Sequence, residues 1–220
     1  MEHDFWHRRW RKNEIGFHQE SVNPYLREHW SRLDVPSNAP VFVPLCGKSR
    51  DMRWLHDAGH PVTGIELSRL AVEAFFAEEG LEPEVDQSGV FESWKAAGYR
   101  LLCGDFFALA EDDLGPVSAV YDRASLIALP PSMRVRYAAH LRGLLPAGLP
   151  SLLVTVEYPQ QEMDGPPFAV QQDEVEGLFA DWRVTLLGRH DILAEAPRFR
   201  DKGVTRMHET IYRLTTPGRD

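Results

Sequence analysis

The chain is short of cysteine: Cys46 and Cys103 are the only two in 220 residues. Two are too few for a disulfide framework, which excludes the small stapled scaffolds of secreted proteins and points to a reducing cytoplasm. Positive charge is also scarce, with 24 lysines and arginines against 33 acidic residues and a net charge of −9. A nucleic-acid backbone binder needs a basic face, so no nucleic-acid partner is expected. No apolar run is long enough to span a bilayer, so no membrane partner is expected, and the start MEHDFWHRRWRKNEIGF has no apolar signal region. Internal repeats and low-complexity linkers are missing as well. The Pro/Gly-rich stretches at 129–131, 146–150 and 165–167 are loop-sized. The length therefore predicts one domain, 1–220, and nothing demands an obligate dimer, so a monomer is expected. The nine histidines are scattered. His3 and His7 have helical ligand spacing but sit at the terminus, so no metal site is expected.

What the chain does have is a steady alternation of helix-period and strand-period segments. Phe5, Trp6 and Trp10 give a short N-terminal helix an aromatic face, which Gly16-Phe17-His18-Gln19 interrupts. A second helix has Asn23 as N-cap, Pro24 at its first position, and Leu26, Trp30 and Leu33 on one side. Buried strands are expected at 41–45, 61–67, 117–122 and 152–156, with a hairpin-and-strand region at 91–94 and 99–102. Helices capped by Ser49 and Ser68 and stopped by Gly59 and Gly80 separate the first of these. Further helices cross Met133 to Leu144 and Val175 to Phe179. The last β-rich stretches, 182–187 and 209–215, have no long helix between them and should pair antiparallel at one end of the sheet. The pattern predicts a mostly parallel sheet with helices on both faces, an open α/β sandwich.

In such a sheet, ligands bind beyond the carboxyl ends of the strands. The loop after the first strand reads Pro44-Leu45-Cys46-Gly47-Lys48-Ser49. Gly47 permits close backbone approach, and the following helix presents free N–H groups. Glu66, 21 residues after Leu45 at the end of the second strand, can accept hydrogen bonds from both hydroxyls of a ribose. The alternative is a solvated strand-end carboxylate. A phosphate loop is disfavoured because Phe occupies position 42, where its first glycine belongs, and a dinucleotide fingerprint would need more glycines than the loop has. A nucleoside cofactor without a pyrophosphate remains, and S-adenosyl-L-methionine is the commonest. At the next strand end, Asp105 and Phe106 offer an acceptor and an aromatic face to an adenine. Arg123 offers a fork to a carboxylate or a substrate anion, or else pairs with Asp122 and merely holds its loop. Cys46 is expected to be a small packed residue rather than a nucleophile, and no Ser-His-Asp or Cys-His constellation is expected.

These residues resemble the thiopurine S-methyltransferase family. The matching stretches are Phe5-Trp6 with Trp10, Gly16 to Gln19, Val43 to Ser49, Gly64 to Ser68, Cys103 to Phe107, Tyr121 to Arg123 and Gly165 to Phe168, in that order over nearly the whole chain. The Pro-Leu-Cys-Gly-Lys-Ser loop is particularly specific, because most methyltransferases carry a glycine-richer loop there. The short N-terminus and the Gly104-Asp105 pair resemble the bacterial branch. The resemblance implies a Rossmann-like methyltransferase fold with a seven-stranded sheet, and S-adenosyl-L-methionine as co-substrate. It implies cofactor contacts at Trp10, Leu45, Glu66 and Arg123, with Phe106 and Asp105 at the adenine. It also implies that residues 1–35 fold over the cofactor and substrate cleft. Phe17 would stack on the substrate and Arg198 would be a second substrate-facing arginine, although the spacing after Asp191 departs from the family pattern. His18, beside Phe17, is a candidate for assisting proton removal, with a helix-end backbone bond as its alternative. The acceptor implied is the sulfur of a thiopurine or related heterocyclic thiol, which ionises without a strong base. Selenium or tellurium oxyanion metabolites are the alternative acceptors, a detoxification role. A non-catalytic adenosylmethionine-binding protein is a further alternative, since fold does not fix function.

Overall fold

The computed structural model describes residues 3–218; residues 1, 2, 219 and 220 of the expected span 1–220 lie outside the described residues. The chain runs α1 (His3–Arg11), α2 (Pro24–His29), β1 (Val41–Val43), α3 (Arg50–Asp57), β2 (Val62–Glu66) and α4 (Arg69–Glu79). It continues through β3 (Glu84–Ser88), β4 (Phe91–Ala96), β5 (Tyr99–Cys103), α5 (Glu111–Leu114), β6 (Ala119–Arg123) and α6 (Pro131–Leu144). It ends with β7 (Pro150–Glu157), α7 (Gln172–Leu178), β8 (Arg183–Asp191), α8 (Pro197–Arg200) and β9 (His208–Thr215). Among the described residues no helix is long and apolar enough to cross a membrane.

Local signals set several boundaries. Asn23 caps α2: its Oδ1 accepts from the amides of Tyr25 and Leu26, and Pro24 fills the first position, where a missing N–H costs nothing. Gly80 closes α4 in the left-handed region, with φ 67°. Ser49 caps α3 through Oγ, which accepts from Asp51 N at 3.2 Å. Ser68 precedes α4 but its hydroxyl makes no cap bond; its amide is committed elsewhere, as shown below.

The sheet has nine strands in the order β3-β4-β5-β2-β1-β6-β7-β9-β8, not seven. β5, β2, β1, β6 and β7 are parallel. β9 and β8 pair antiparallel at one edge as expected, and β4 and β3 extend the other edge antiparallel to β5. β3 is the strand without a sequence signal. Its residues Glu84 to Gln87 are all exposed, so no apolar alternation marks it, and it is held by backbone pairing to β4 with a Lys95–Asp86 ion pair and a Gln87 bond to Phe91 O. Alternation along the central strands feeds two cores on opposite faces. Phe42, Ile65, Leu102, Val120 and Leu153 pack with Tyr137 and Leu141 of α6. Val41, Val43, Leu101, Tyr121 and Leu152 pack with Leu26, Met52, Leu55, Val72 and Phe75 from α2, α3 and α4. The chain turns back from β5 to β6 across β1, so β1 and β6 flank the topological switch point.

Candidate active site

The ends of β1, β2, β5 and β6 bring the expected loops together at this switch point. Gly47 N donates to Glu66 Oε2 at 2.9 Å, and Ser68 N donates to Oε1 at 2.8 Å. One carboxylate thus ties the β1 loop to the start of α4. Glu66 is buried, and burial raises its pKa to about 7 against the pull of the Ser68, Gly47 and Leu67 amides. The solvated strand-end alternative is therefore excluded. Each oxygen accepts one amide proton and keeps a further lone pair, so the group is under-supplied with donors. A vicinal diol would supply two. The β1 loop is also bent out of ordinary geometry: Leu45 has φ 45° and Gly47 φ 53°. The glycine adopts this freely, whereas for leucine it costs roughly 1–2 kcal/mol. A second non-glycine residue of this kind, Ala124 with φ 63°, follows Arg123, and Ser125 Oγ donates to Pro44 O at 2.8 Å to join the two turns. Strain gathers where the loops converge.

The N-terminal aromatics lie over this edge. A Cβ added to Gly47 would sit 3.4 Å from the Trp10 ring. Trp10 meets Phe17 edge-on at 5.6 Å, and Phe17 meets Trp6 at 5.8 Å. Asp105 caps the short 3-10 turn Phe106–Ala108 by accepting from Phe107 N at 2.9 Å, while its other oxygen lies 3.3 Å from His3 Nε2 of α1. Phe106 is buried against Tyr137 and His140, so little of the ring is available to a ligand.

The anion-binding side is more elaborate than the sequence reading. Arg123 does not pair with Asp122, whose Oδ2 accepts from Tyr137 OH at 2.6 Å beneath the site. Burial raises the Asp122 pKa to about 6. Arg123 Nη1 instead lies 3.8 Å from Asp51 Oδ2, with the arginine side chain 13% exposed. Asp51, in the first turn of α3, also accepts from Tyr121 OH at 2.9 Å and from Asn23 N at 2.7 Å. Arg198 donates to Gly16 O, lies over the Phe199 ring, and has its pKa pushed down by partial burial and then by the Arg123 charge. Glu209, at the start of β9, has its pKa raised by burial and opposed by Arg123 and Arg198. His18 has its pKa lowered, first by burial and then by Lys48, so it is neutral near pH 7. Burial pushes the Cys46 thiol up, which suits a packed residue and not a nucleophile.

Trp10 thus links Gly47 to Phe17, Gly47 is bonded to Glu66, and the Arg123 charge acts on both His18 and Arg198. The sequence reading missed Asp51, Tyr121 and Glu209. Asp51 looks like any acidic residue in a first helical turn, Tyr121 like a strand aromatic, and Glu209 like a strand-end carboxylate.

A model of the family described as Thiopurine S-methyltransferase matches residues 1–217. A protein of that name from Pseudomonas paraeruginosa is 53% identical over 215 residues, 97% of this chain and 99% of its own. One from Nitrosospira multiformis is 52% identical over 217 residues, 98% and 99% of the two chains. Among solved structures, a SAM-dependent methyltransferase from Anabaena variabilis has a TM-score of 0.65 at 14% identity, covering 97% of this chain and 94% of its own. The 1,6-didemethyltoxoflavin-N1-methyltransferase of Burkholderia thailandensis, with S-adenosylhomocysteine bound, has a TM-score of 0.64 at 15% identity, covering 98% and 87%. At these identities the two structures speak for the fold.

Proposed function

Because this chain belongs to the thiopurine S-methyltransferase family, we propose that its cleft holds S-adenosyl-L-methionine on Glu66 and methylates the sulfur of a thiopurine or related heteroaromatic thiol. The chain is an S-adenosyl-L-methionine-dependent methyltransferase. The observation that carries the site assignment is the buried Glu66 carboxylate, bonded to the Gly47 and Ser68 amides yet still short of donors. The donor set fits the co-substrate. Glu66 would take the ribose diol, Arg123 the amino-acid carboxylate, and Trp10, Leu45 and Gly47 would wall the nucleoside, with Asp105 and Phe106 toward the adenine.

Bound S-adenosyl-L-methionine supplies an electrophilic methyl group on a sulfonium, the donor for an in-line displacement. The rest is done by this chain. The aromatic N-terminal segment would cover the cleft, Trp6, Trp10 and Phe17 keeping water from it, while α2 packs into the core and Phe17 would offer a face to a planar acceptor. Arg123 and Arg198 favour the anionic, nucleophilic form of a thiol by lowering its pKa. Neutral His18 can take the proton of an acceptor that arrives un-ionised. Positioning supplies most of the rate, effective molarities of about 10⁵ M being available from alignment alone.

The test is transfer of labelled methyl groups to a panel of 6-mercaptopurine, thiophenols and selenium or tellurium oxyanion metabolites. Transfer to 6-mercaptopurine supports the proposed acceptor; turnover of the metalloids with none of the thiols overturns it. Adenosylmethionine binding without transfer to any of them would favour a non-catalytic binder. The role of His18 has its own signature. His18→Gln should slow a thiol that is un-ionised at the assay pH by about ten-fold or more, while leaving a fully ionised thiol nearly unchanged. Equal losses on both would remove the proton-accepting role.

We also read the chain as a monomer in the cytoplasm. The exposed large apolar side chains, Leu70, Val85, Val90, Val135 and Leu186, are spread over different elements rather than gathered into one patch. Free Cys46 and Cys103 suit a reducing compartment.

A further inference from the structure

Next to the anion-binding side of the cleft, where His190 pairs across the strands with Glu209, three side chains converge on one small space. Glu28 and His29 end α2, His190 lies on β8, and one donor atom from each lies within 4.8 Å of the others. His29 is 1% exposed, and neither of its ring nitrogens has a hydrogen-bond partner. Nε2 of His190 is buried and unpartnered too. Two imidazoles left in this condition are costly, about 1–3 kcal/mol for each stranded group, unless something binds them.

Gly188 shapes the space. The β8–β9 pairing slips between Leu186 and Gly188, and a Cβ on the glycine would stand 2.8 Å from His190 Nε2 and 3.5 Å from His29 Nε2. Both nitrogens therefore border the volume that the missing side chain leaves. The Tyr25 ring stacks on His190 with centroids 4.8 Å apart and fixes its plane. Glu28 Oε1 lies 3.6 Å from His29 Nε2 on a side chain 54% exposed, so the space has an acidic, open side.

We propose that Glu28, His29 and His190 form a site for one divalent cation of the zinc class, joining the end of α2 to β8. Two imidazoles and a carboxylate, with water as a fourth ligand, are the donor set such borderline ions take. Bonds of 2.0–2.2 Å would bring the donors to roughly 3.4 Å from one another, a closure that the exposed Glu28 arm can make. His29 and His190 stand far apart in the chain, so no ligand spacing could announce the site. An ion there would anchor α2, and with it the N-terminal segment over the cleft, to the β8–β9 edge.

The test uses the whole protein, stripped with chelator and titrated with Co²⁺ alone. Wild type should take up one tightly held equivalent with the intense visible absorption of four-coordinate cobalt, displaced by Zn²⁺. Glu28→Gln and His190→Gln should each weaken that uptake at least about ten-fold, and Gly188→Ala, which keeps all three ligands but fills the space, should do the same. Adenosylmethionine titration of each variant reports separately that the fold is intact; if Gly188→Ala fails there, the exposed Glu28→Gln decides. No four-coordinate spectrum in wild type, or the same uptake in wild type, Glu28→Gln and His190→Gln, overturns the proposal.

Discussion

Glu66→Ala should weaken binding of S-adenosyl-L-methionine and of its demethylated product by at least about ten-fold at pH 8, or about 1.4 kcal/mol from an affinity of micromolar order. Calorimetric titration measures this directly, and undiminished binding would remove the ribose assignment. The pH dependence makes the test sharper. The form of Glu66 that accepts from a diol is the anion, and burial raises its pKa to about 7. Affinity should therefore fall as pH drops below about 7, by up to ten-fold per unit, because the group must lose a proton before ligand binds. Glu66→Gln carries no such proton, so its affinity should be lower but less steep in pH, and the difference between the two curves isolates Glu66. Stability gives an independent check with its own sign. A carboxyl whose folded pKa is raised contributes stability that is complete below the ordinary carboxylate range and is lost as pH rises through about 7. The wild type should lose this contribution between about pH 4 and 7, while Glu66→Gln should be flatter over that window.

Asp51→Ala should cost about 3 kcal/mol of stability, a fall in Tm of roughly 6–12 °C for a chain of this size. Asp51 is buried and accepts from both Asn23 N and Tyr121 OH, so its removal strands two buried donors and leaves Arg123 without its acidic neighbour. The catalytic effect should be larger than the structural one. Arg123 would be free to shift, and displacement of a positioning group by about 1 Å can cost roughly 100-fold in rate. Asp51→Asn, which keeps the size and one acceptor oxygen, should recover much of the stability but little of kcat/KM. Thermal melts and steady-state kinetics on both variants decide this. Wild-type kcat/KM in a folded Asp51→Asn would show that the arginine needs no acidic partner.

Asp51 also marks the limit of what local sequence can say. Its neighbours in the chain place it in the first turn of α3, where an acidic residue is ordinary. That it reaches Tyr121, 70 positions away, follows only from the packing of α3 over β6. Glu66 is the opposite case. Its place at a strand end, a fixed distance after a glycine-bearing loop, follows from two strands and one helix in succession, all marked by apolar period and caps. The structure added its second bond, from the Ser68 amide, and showed that the Ser68 hydroxyl makes no cap bond. β3 was hidden because its exposed residues give no alternation, and the sheet grew to nine strands through backbone pairing that side-chain patterns do not report.

The sequence by itself thus determined the alternating α/β order, the turn at Gly47, the carboxylate at Glu66 and the cap at Asn23. All of these are set by residues within a few positions of one another, where periodicity and backbone preference act. Tertiary structure alone decided which distant groups meet. Arg198 reaches Gly16, Arg123 turns to Asp51 rather than to Asp122, and His29 comes to face His190 across Gly188. Those meetings depend on how helices settle on a twisted sheet, and on which buried polar groups then have only one another to satisfy them.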